Sequence, residues 1–296
     1  MLAILSSFDQ RPDHTDNYTA PRIMNNTAIA VLLIVFPFTT VAQTPPAIEW
    51  QQALGGSEDD YAVSVDQTSD GGFIVAGLTL SNDGDITGHH GGWDYWIVKL
   101  DGAGTIQWQK SLGGSGTDEA YSIEQTTDGG YIVAGNTLSN DGDVTGHHGS
   151  WDYWIVKLDG AGTIQWQRAM GGSGLDYSTS IEQCSDGGYI VAGEASSING
   201  DVTGHHGDSD YWIVKLDDAG AIQWQKALGG SGTDEAFSIE QTTDGGFIVA
   251  GLTLSNDGDV TGHHGGWDYW IVKLDGGGTI QWQSTMGGSG YDVAGS

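Results

Sequence analysis

Apolar residues recur along most of this chain in short runs of six to eight, each bounded by glycine, aspartate and asparagine, and no stretch repeats with the 3.6-residue period of an amphipathic helix. In the first clear example the runs fall at 61–68, 73–79, 95–100 and 106–112. They are rich in β-branched and aromatic residues, which fit a pleated, buried surface. We label these strand positions A to D. Asp70-Gly71-Gly72 separates A from B, and Asp101-Gly102 with Gly104 separates C from D. Glycine accepts the positive φ that tight turns demand, so both separators predict hairpins. FIVAG and YWIVKL are apolar on both faces, as expected of strands sandwiched between neighbouring sheets. Each group of four runs therefore predicts a four-stranded antiparallel meander.

The groups repeat. The tryptophans of an Ile-x-Trp-Gln segment stand at Trp50, Trp108, Trp166, Trp224 and Trp282, each 58 residues after the last. Units start at 48, 106, 164 and 222, with a partial unit from 280. One meander cannot bury both of its faces, so the units must stack, and radial stacking of four-stranded sheets makes a β-propeller. The expectation is an all-β, β-propeller-like array of four blades over about 61–286. Partial flanking strands are expected at both ends: a lone D strand at 48–54 and an incomplete A strand at the C-terminus.

DGGYIVAG at 128–135, DYWIVKLD at 152–159 and IQWQKALGGS at 222–231 occur in fixed order. In these words the region 48–296 resembles the tandem propeller-like repeats of secreted Bacteroidota proteins, many of them exported by the type IX secretion system. The resemblance implies an extracellular or cell-surface setting and no shared catalytic activity. KLDGAGTIQW is also similar to the Asp-to-Trp turn of quinoprotein blades, one residue shorter, which speaks for blade construction and not for a quinone cofactor.

Residues 1–42 are read as a leader. AIAVLLIVFPF at 28–38 is too short to span a bilayer, and Thr40-Val41-Ala42 is a small-x-small cleavage pattern that leaves Gln43 first. The repeat domain then covers 43–296, with no membrane insertion once the leader is gone and a secreted or cell-surface location. Cys184 is alone, so no intrachain disulfide forms. Acidic residues outnumber basic ones by 39 to 9, a net charge of −30 that makes nucleic acid a poor partner.

In a meander alternate connections emerge at one end, so the long B–C loop shares a face with the D–A link. This face is the candidate surface for a protein or glycan partner, since rigid scaffolds carry function on their loops. Three kinds of side chain mark it. The first is a set of Asn, Asp and Gly turns: Asn82-Asp83-Gly84-Asp85, Asn140-Asp141-Gly142-Asp143, Asp201 of the third unit, and Asn256-Asp257-Gly258-Asp259. Their clustered oxygens suit calcium; the competing reading is plain turn chemistry. The second is a row of histidine pairs, His89-His90, His147-His148, His205-His206 and His263-His264. Imidazole ligates transition metals, yet neighbours on an extended segment point opposite ways. The third is Trp93, Trp151 and Trp267, candidate sugar platforms, with Ser209 in the third unit.

Asp60, Asp118, Asp176, Asp234 and Asp292 open strand A, and Asp94, Asp152, Asp210 and Asp268 open strand C, where they are expected to bond loop amides. Lys99, Lys157, Lys215 and Lys273 sit mid-strand and call for an aspartate partner. Because nearly every polar candidate occurs four times in near-identical surroundings, a unique catalytic constellation is missing from the pattern. Arg168, Cys184, Glu194 and Asp208 break the repeat without forming a recognisable set. The chain therefore reads as a non-enzymatic module for binding or structural display. A calcium-assisted, lectin-like glycan binder is the alternative, and a propeller glycoside hydrolase or lyase with paired carboxylates comes third.

Overall fold

A computed structural model describes residues 47–292 of the chain. The proposed leader, its cleavage point and the last four residues of the incomplete A strand lie outside the described residues. Sixteen strands form four sheets, each a four-stranded antiparallel meander with its strands in chain order. The first blade holds β1 (Asp60–Gln67), β2 (Phe73–Thr79), β3 (Asp94–Leu100) and β4 (Ile106–Leu112). The second holds β5 (Asp118–Gln125), β6 (Tyr131–Thr137), β7 (Asp152–Leu158) and β8 (Ile164–Met170). The third holds β9 (Asp176–Gln183), β10 (Tyr189–Ala195), β11 (Asp210–Leu216) and β12 (Ile222–Leu228). The fourth holds β13 (Asp234–Gln241), β14 (Phe247–Thr253), β15 (Asp268–Leu274) and β16 (Ile280–Met286). The propeller-like repeat of four blades expected from the 58-residue period is present. No helix of the described residues is long and apolar enough to cross a membrane.

Local chemistry explains the blade. At the A–B turn Gly129 takes φ +82°, and Asp128 accepts the Gly130 amide at 3.0 Å together with the Thr126 hydroxyl. The same carboxylate receives Nζ of Lys157 at 3.0 Å, and Nζ also donates to the Leu158 carbonyl. The buried lysine of strand C thus reaches across strand B to the turn, the aspartate partner its position called for. Strands A and B pair with a register shift between Ala120 and Ser122. Opposite this bulge stands Gly135, where a β-carbon would lie 2.0 Å from the Glu119 carbonyl oxygen. Only glycine lets the two backbones approach that closely.

Packing between blades is equally regular. The strand-C tyrosine of one blade lies on the strand-C tryptophan of the next: Tyr95 on Trp154, Tyr153 on Trp212 and Tyr211 on Trp270, with ring centroids 4.5, 4.6 and 4.6 Å apart. Each hydroxyl donates to the backbone carbonyl of the tryptophan it covers, at 2.8, 3.0 and 2.9 Å. β1, β5, β9 and β13 lie against one another in turn. They are stitched by Gln125 N–H to Asp66, Gln183 N–H to Glu124 and Gln241 N–H to Glu182. At the two ends this contact stops, and Tyr61, Val65, Trp282 and Met286 are exposed.

The N-terminal flanking strand is a correction. Residues 48–54 are not a strand, although Trp50 sits 5.7 Å from Phe73 in the way Trp108 sits 5.7 Å from Tyr131. A strand at position D takes its hydrogen bonds from strand C of its own blade, and among the described residues no such strand pairs with 48–54. The tryptophan keeps its packing without the ladder. At the far end Tyr291 and Asp292 carry no strand, but the Asp292 amide already donates to the Trp267 carbonyl at 2.9 Å, as Asp118 does to Trp93.

Candidate functional site

Every B–C loop folds back on the D–A link of its own blade, so the long loops do share one end. The Asn, Asp and Gly turns make that contact. In the second blade Asp141 Oδ1 accepts the Ser115 amide at 2.7 Å and Asp143 Oδ2 the Gly113 amide at 3.3 Å, while the Asp143 amide returns a bond to the Gly113 carbonyl. Asp83 and Asp85 do the same to Ser57 and Gly55, and Asp257 and Asp259 to Ser231 and Gly229. In the third blade Asn199 and Asp201 take these roles at 2.8 and 3.3 Å. Asn82, Asn140 and Asn256 are exposed. Among the described residues, no group of three or more His, Cys, Asp or Glu side chains is arranged to hold a metal ion. Asparagine replaces aspartate in the third blade with the amide contact intact, as turn chemistry allows. We expect the melting temperature to stay within about 1 °C between millimolar calcium and excess chelator. A rise of several degrees with calcium, lost in an Asp83/Asp141/Asp257→Ala variant, would restore the ion.

The two histidines of each pair separate. His89 and His263 turn Nε2 to the carbonyls of Gly92 and Gly266 at 2.8 Å, and His147 does so to Ser150. His205 has no such partner, and its Nε2 is buried and unpaired. His90, His148, His206 and His264 instead place both backbone amide and Nδ1 on Oδ2 of Asp94, Asp152, Asp210 and Asp268. The pairs pin the loop to the head of strand C.

These strand-C aspartates meet the strand-A aspartates of the next blade. Asp118, fully buried, accepts the Gly114 amide at 2.8 Å, the Ser139 hydroxyl at 2.8 Å and the Thr137 hydroxyl. Asp94, also fully buried, uses Oδ2 for His90 and for the Ser111 hydroxyl at 2.9 Å, and its Oδ1 has no partner. A β-carbon on Gly113 would lie 2.6 Å from Asp118 Oδ2 and 2.8 Å from Asp94 Oδ1, so glycine makes room for two carboxylates at the seam. Burial pushes the Asp118 carboxyl up, and the neighbouring Asp94 charge adds to it. Burial likewise raises Asp152, Asp176, Asp210 and Asp234. The pair recurs at Asp152 with Asp176 and at Asp210 with Asp234 around Gly171 and Gly229.

Trp93 and Trp151 are half-buried, each 5.5 Å from a tyrosine ring, Tyr61 and Tyr177 respectively; Trp267 lies 6.4 Å from Tyr291. Where the third blade has Ser209 instead, a cavity of about 170 Å³ opens, lined by Leu175, Tyr177, Glu194, Ser196, Asp208, Ser209 and Thr233. Glu194 and Asp208, which look unrelated in the sequence, stand together here. Arg168 and Cys184 are elsewhere, Cys184 buried in the core between the third and fourth blades.

No family model matches the chain. One curated relative, the regulatory protein FlaEY of Caulobacter vibrioides, is 28% identical over 157 residues, which is 48% of this chain and 16% of that protein. The chain thus spans about a sixth of that relative's length. A protein of unknown function from Bacteroides caccae aligns at 12% identity and TM-score 0.31, over 78% of this chain and 83% of its own. A Glu150Asp mutant of the Synechocystis apocarotenoid oxygenase aligns at 12% identity and TM-score 0.42, over 78% of this chain and 50% of its own. BamB from Moraxella catarrhalis aligns at 12% identity and TM-score 0.18, over 77% and 92%.

Proposed function

We propose that the protein is a secreted or cell-surface β-propeller module that binds or displays through its loop face and performs no chemistry of its own. The observation that carries this reading is the use of the polar side chains on that face. The strand-head aspartates, the loop aspartates and most of the histidines accept or donate bonds that hold the loops, with Asn199 and the unpaired His205 the exceptions in the third blade. A catalytic pair needs two groups whose settings drive their proton affinities apart at one place. Here the buried carboxylates are repeated at each seam with equivalent partners. Such a frame supplies a rigid, acidic surface of serines, threonines and half-buried tryptophans. The apolar run at 28–38 supports the secreted setting.

The test is a turnover and binding panel of plant, algal and bacterial polysaccharides and their aryl glycosides. No bond cleavage above buffer is expected over a day at micromolar protein. Reproducible hydrolysis or elimination, abolished by Asp118→Asn or Asp176→Asn alone, would replace the binding module by an enzyme. Retention on an immobilised glycan without turnover would narrow the partner to carbohydrate.

A further inference from the structure

The repeat makes its own exception visible. Position 209 is tryptophan in the other three blades, and Ser209 leaves the 170 Å³ cavity at the loop end of the third blade, beside the fourth. Four side chains around it are more polar than in most other blades, while Leu175 is apolar where the others have Asp59, Thr117 and Thr233. Glu194 stands where the other blades have Leu78, Asn136 and Leu252; Ser196 where they have Leu80, Leu138 and Leu254; Asp208 where they have Gly92, Ser150 and Gly266. Of the third unit's departures from the repeat, these four line one opening.

The chemistry of the opening is consistent. Glu194 accepts a bond from the buried Ser209 hydroxyl at 2.6 Å, and among the described residues no lysine, arginine or histidine pairs with it. Asp208 lines the rim, and the Glu235 carboxyl nearby is raised by its own burial and then by the Glu194 charge. Burial itself raises the Glu194 carboxyl, the condition of an acid that lacks a counter-ion. Tyr177 supplies an aromatic wall, its ring 5.5 Å from that of Trp151. Carboxylate and aromatic ring together favour a cation, and a planar, delocalised one suits a slot that elsewhere holds an indole.

We propose that the third-blade cavity is a binding pocket for a guanidinium group, as on an arginine side chain of a partner peptide, with Glu194 as its counter-ion, Ser209 and Asp208 as further acceptors and Tyr177 as its cation–π wall. This rests on the reading of the loop face as a binding surface and names one pocket and one ligand class within it. The acidic field of the whole chain draws such a ligand in.

The probe is Nα-acetyl-arginine amide, with Nα-acetyl-citrulline amide as its neutral isostere, followed by calorimetry and by chemical-shift perturbation. Saturable binding of the arginine probe is expected, at least about tenfold tighter than that of citrulline and weakened by salt. Ser209→Trp restores the side chain of the other blades and so should leave the melting curve intact while abolishing binding. Glu194→Gln should weaken it roughly tenfold with the fold unchanged. Equal binding of both probes, or none at tens of millimolar, overturns the pocket. Arginine binding that survives Ser209→Trp overturns it too, while leaving the loop face standing as a binding surface. Tight binding of a neutral saccharide that Ser209→Trp removes would assign the cavity to sugars and refute the cation.

Discussion

Replacing Asp118 by alanine is expected to destabilise the protein by about 3–5 kcal/mol, the largest effect of any single polar substitution on the loop face. Three donors lose their acceptor at once: the Gly114 amide, the Ser139 hydroxyl and the Thr137 hydroxyl, all within a site where Asp118 has no solvent exposure. A buried, unsatisfied donor costs ~1–3 kcal/mol, and water has little room to replace the carboxylate. Asp118→Asn should be much milder, at about 1–2 kcal/mol, since the amide oxygen can serve one cluster of donors and its nitrogen can face the Thr137 oxygen. Removing the charge also ends its repulsion with Asp94. The damage should be local at first, because each blade packs only on its neighbours. Hydrogen exchange should quicken across the first two blades before the fourth responds. Urea melts that place the alanine variant within about 1 kcal/mol of the parent would show that the loops are held by something else.

The strands and their order were legible because the apolar runs and the glycine turns agree, and because one unit read correctly is read four times. Alternation of connections in a meander also placed the B–C loops and D–A links together without coordinates. Two things were hidden. Asp94 and Asp118 belong to different blades, and only the stacking of sheets brings the unpaired oxygen of one beside the other. Glu194, Ser196, Asp208 and Ser209 fall on two segments about a dozen residues apart, so they look like unrelated drift until the sheet folds those segments to one end. The signal that would have found them is that one unit carries Glu, Ser, Asp and Ser at 194, 196, 208 and 209, where most other units have Leu, Leu, Gly and Trp. The orphan strand at 48–54 failed for a plainer reason. A repeat phase predicts which residues pack, and Trp50 does pack, but a ladder needs a partner strand as well as a pattern.

Stability should peak in mild acid, near about pH 4–5, and the protein is expected to melt about 2–4 °C higher there than at about pH 7.5, the displacement that 1 kcal/mol or so produces in a domain of this size. Two sets of carboxyls oppose each other. Asp118, Asp152, Asp176, Asp210 and Asp234 are raised above the ordinary 3.8 by burial. The folded state then holds protons that the unfolded chain has released, so their contribution is full below 3.8 and is lost as pH climbs through the raised values. Asp70, Asp128, Asp186 and Asp244 are lowered by bonds from turn groups and from Lys99, Lys157, Lys215 and Lys273, Asp128 to about 2. Their contribution is full above 3.8 and is lost as pH falls toward 2. The first set therefore favours acid and the second forbids strong acid, which leaves the optimum between them. General repulsion in a chain of net charge −30 eases in the same direction. Converting Asp118, Asp176 and Asp234 together to asparagine should flatten the neutral limb and leave the collapse near pH 2 in place. A melting temperature that climbs from pH 5 to pH 8 would show that the seam carboxylates are ionised in the fold at little cost.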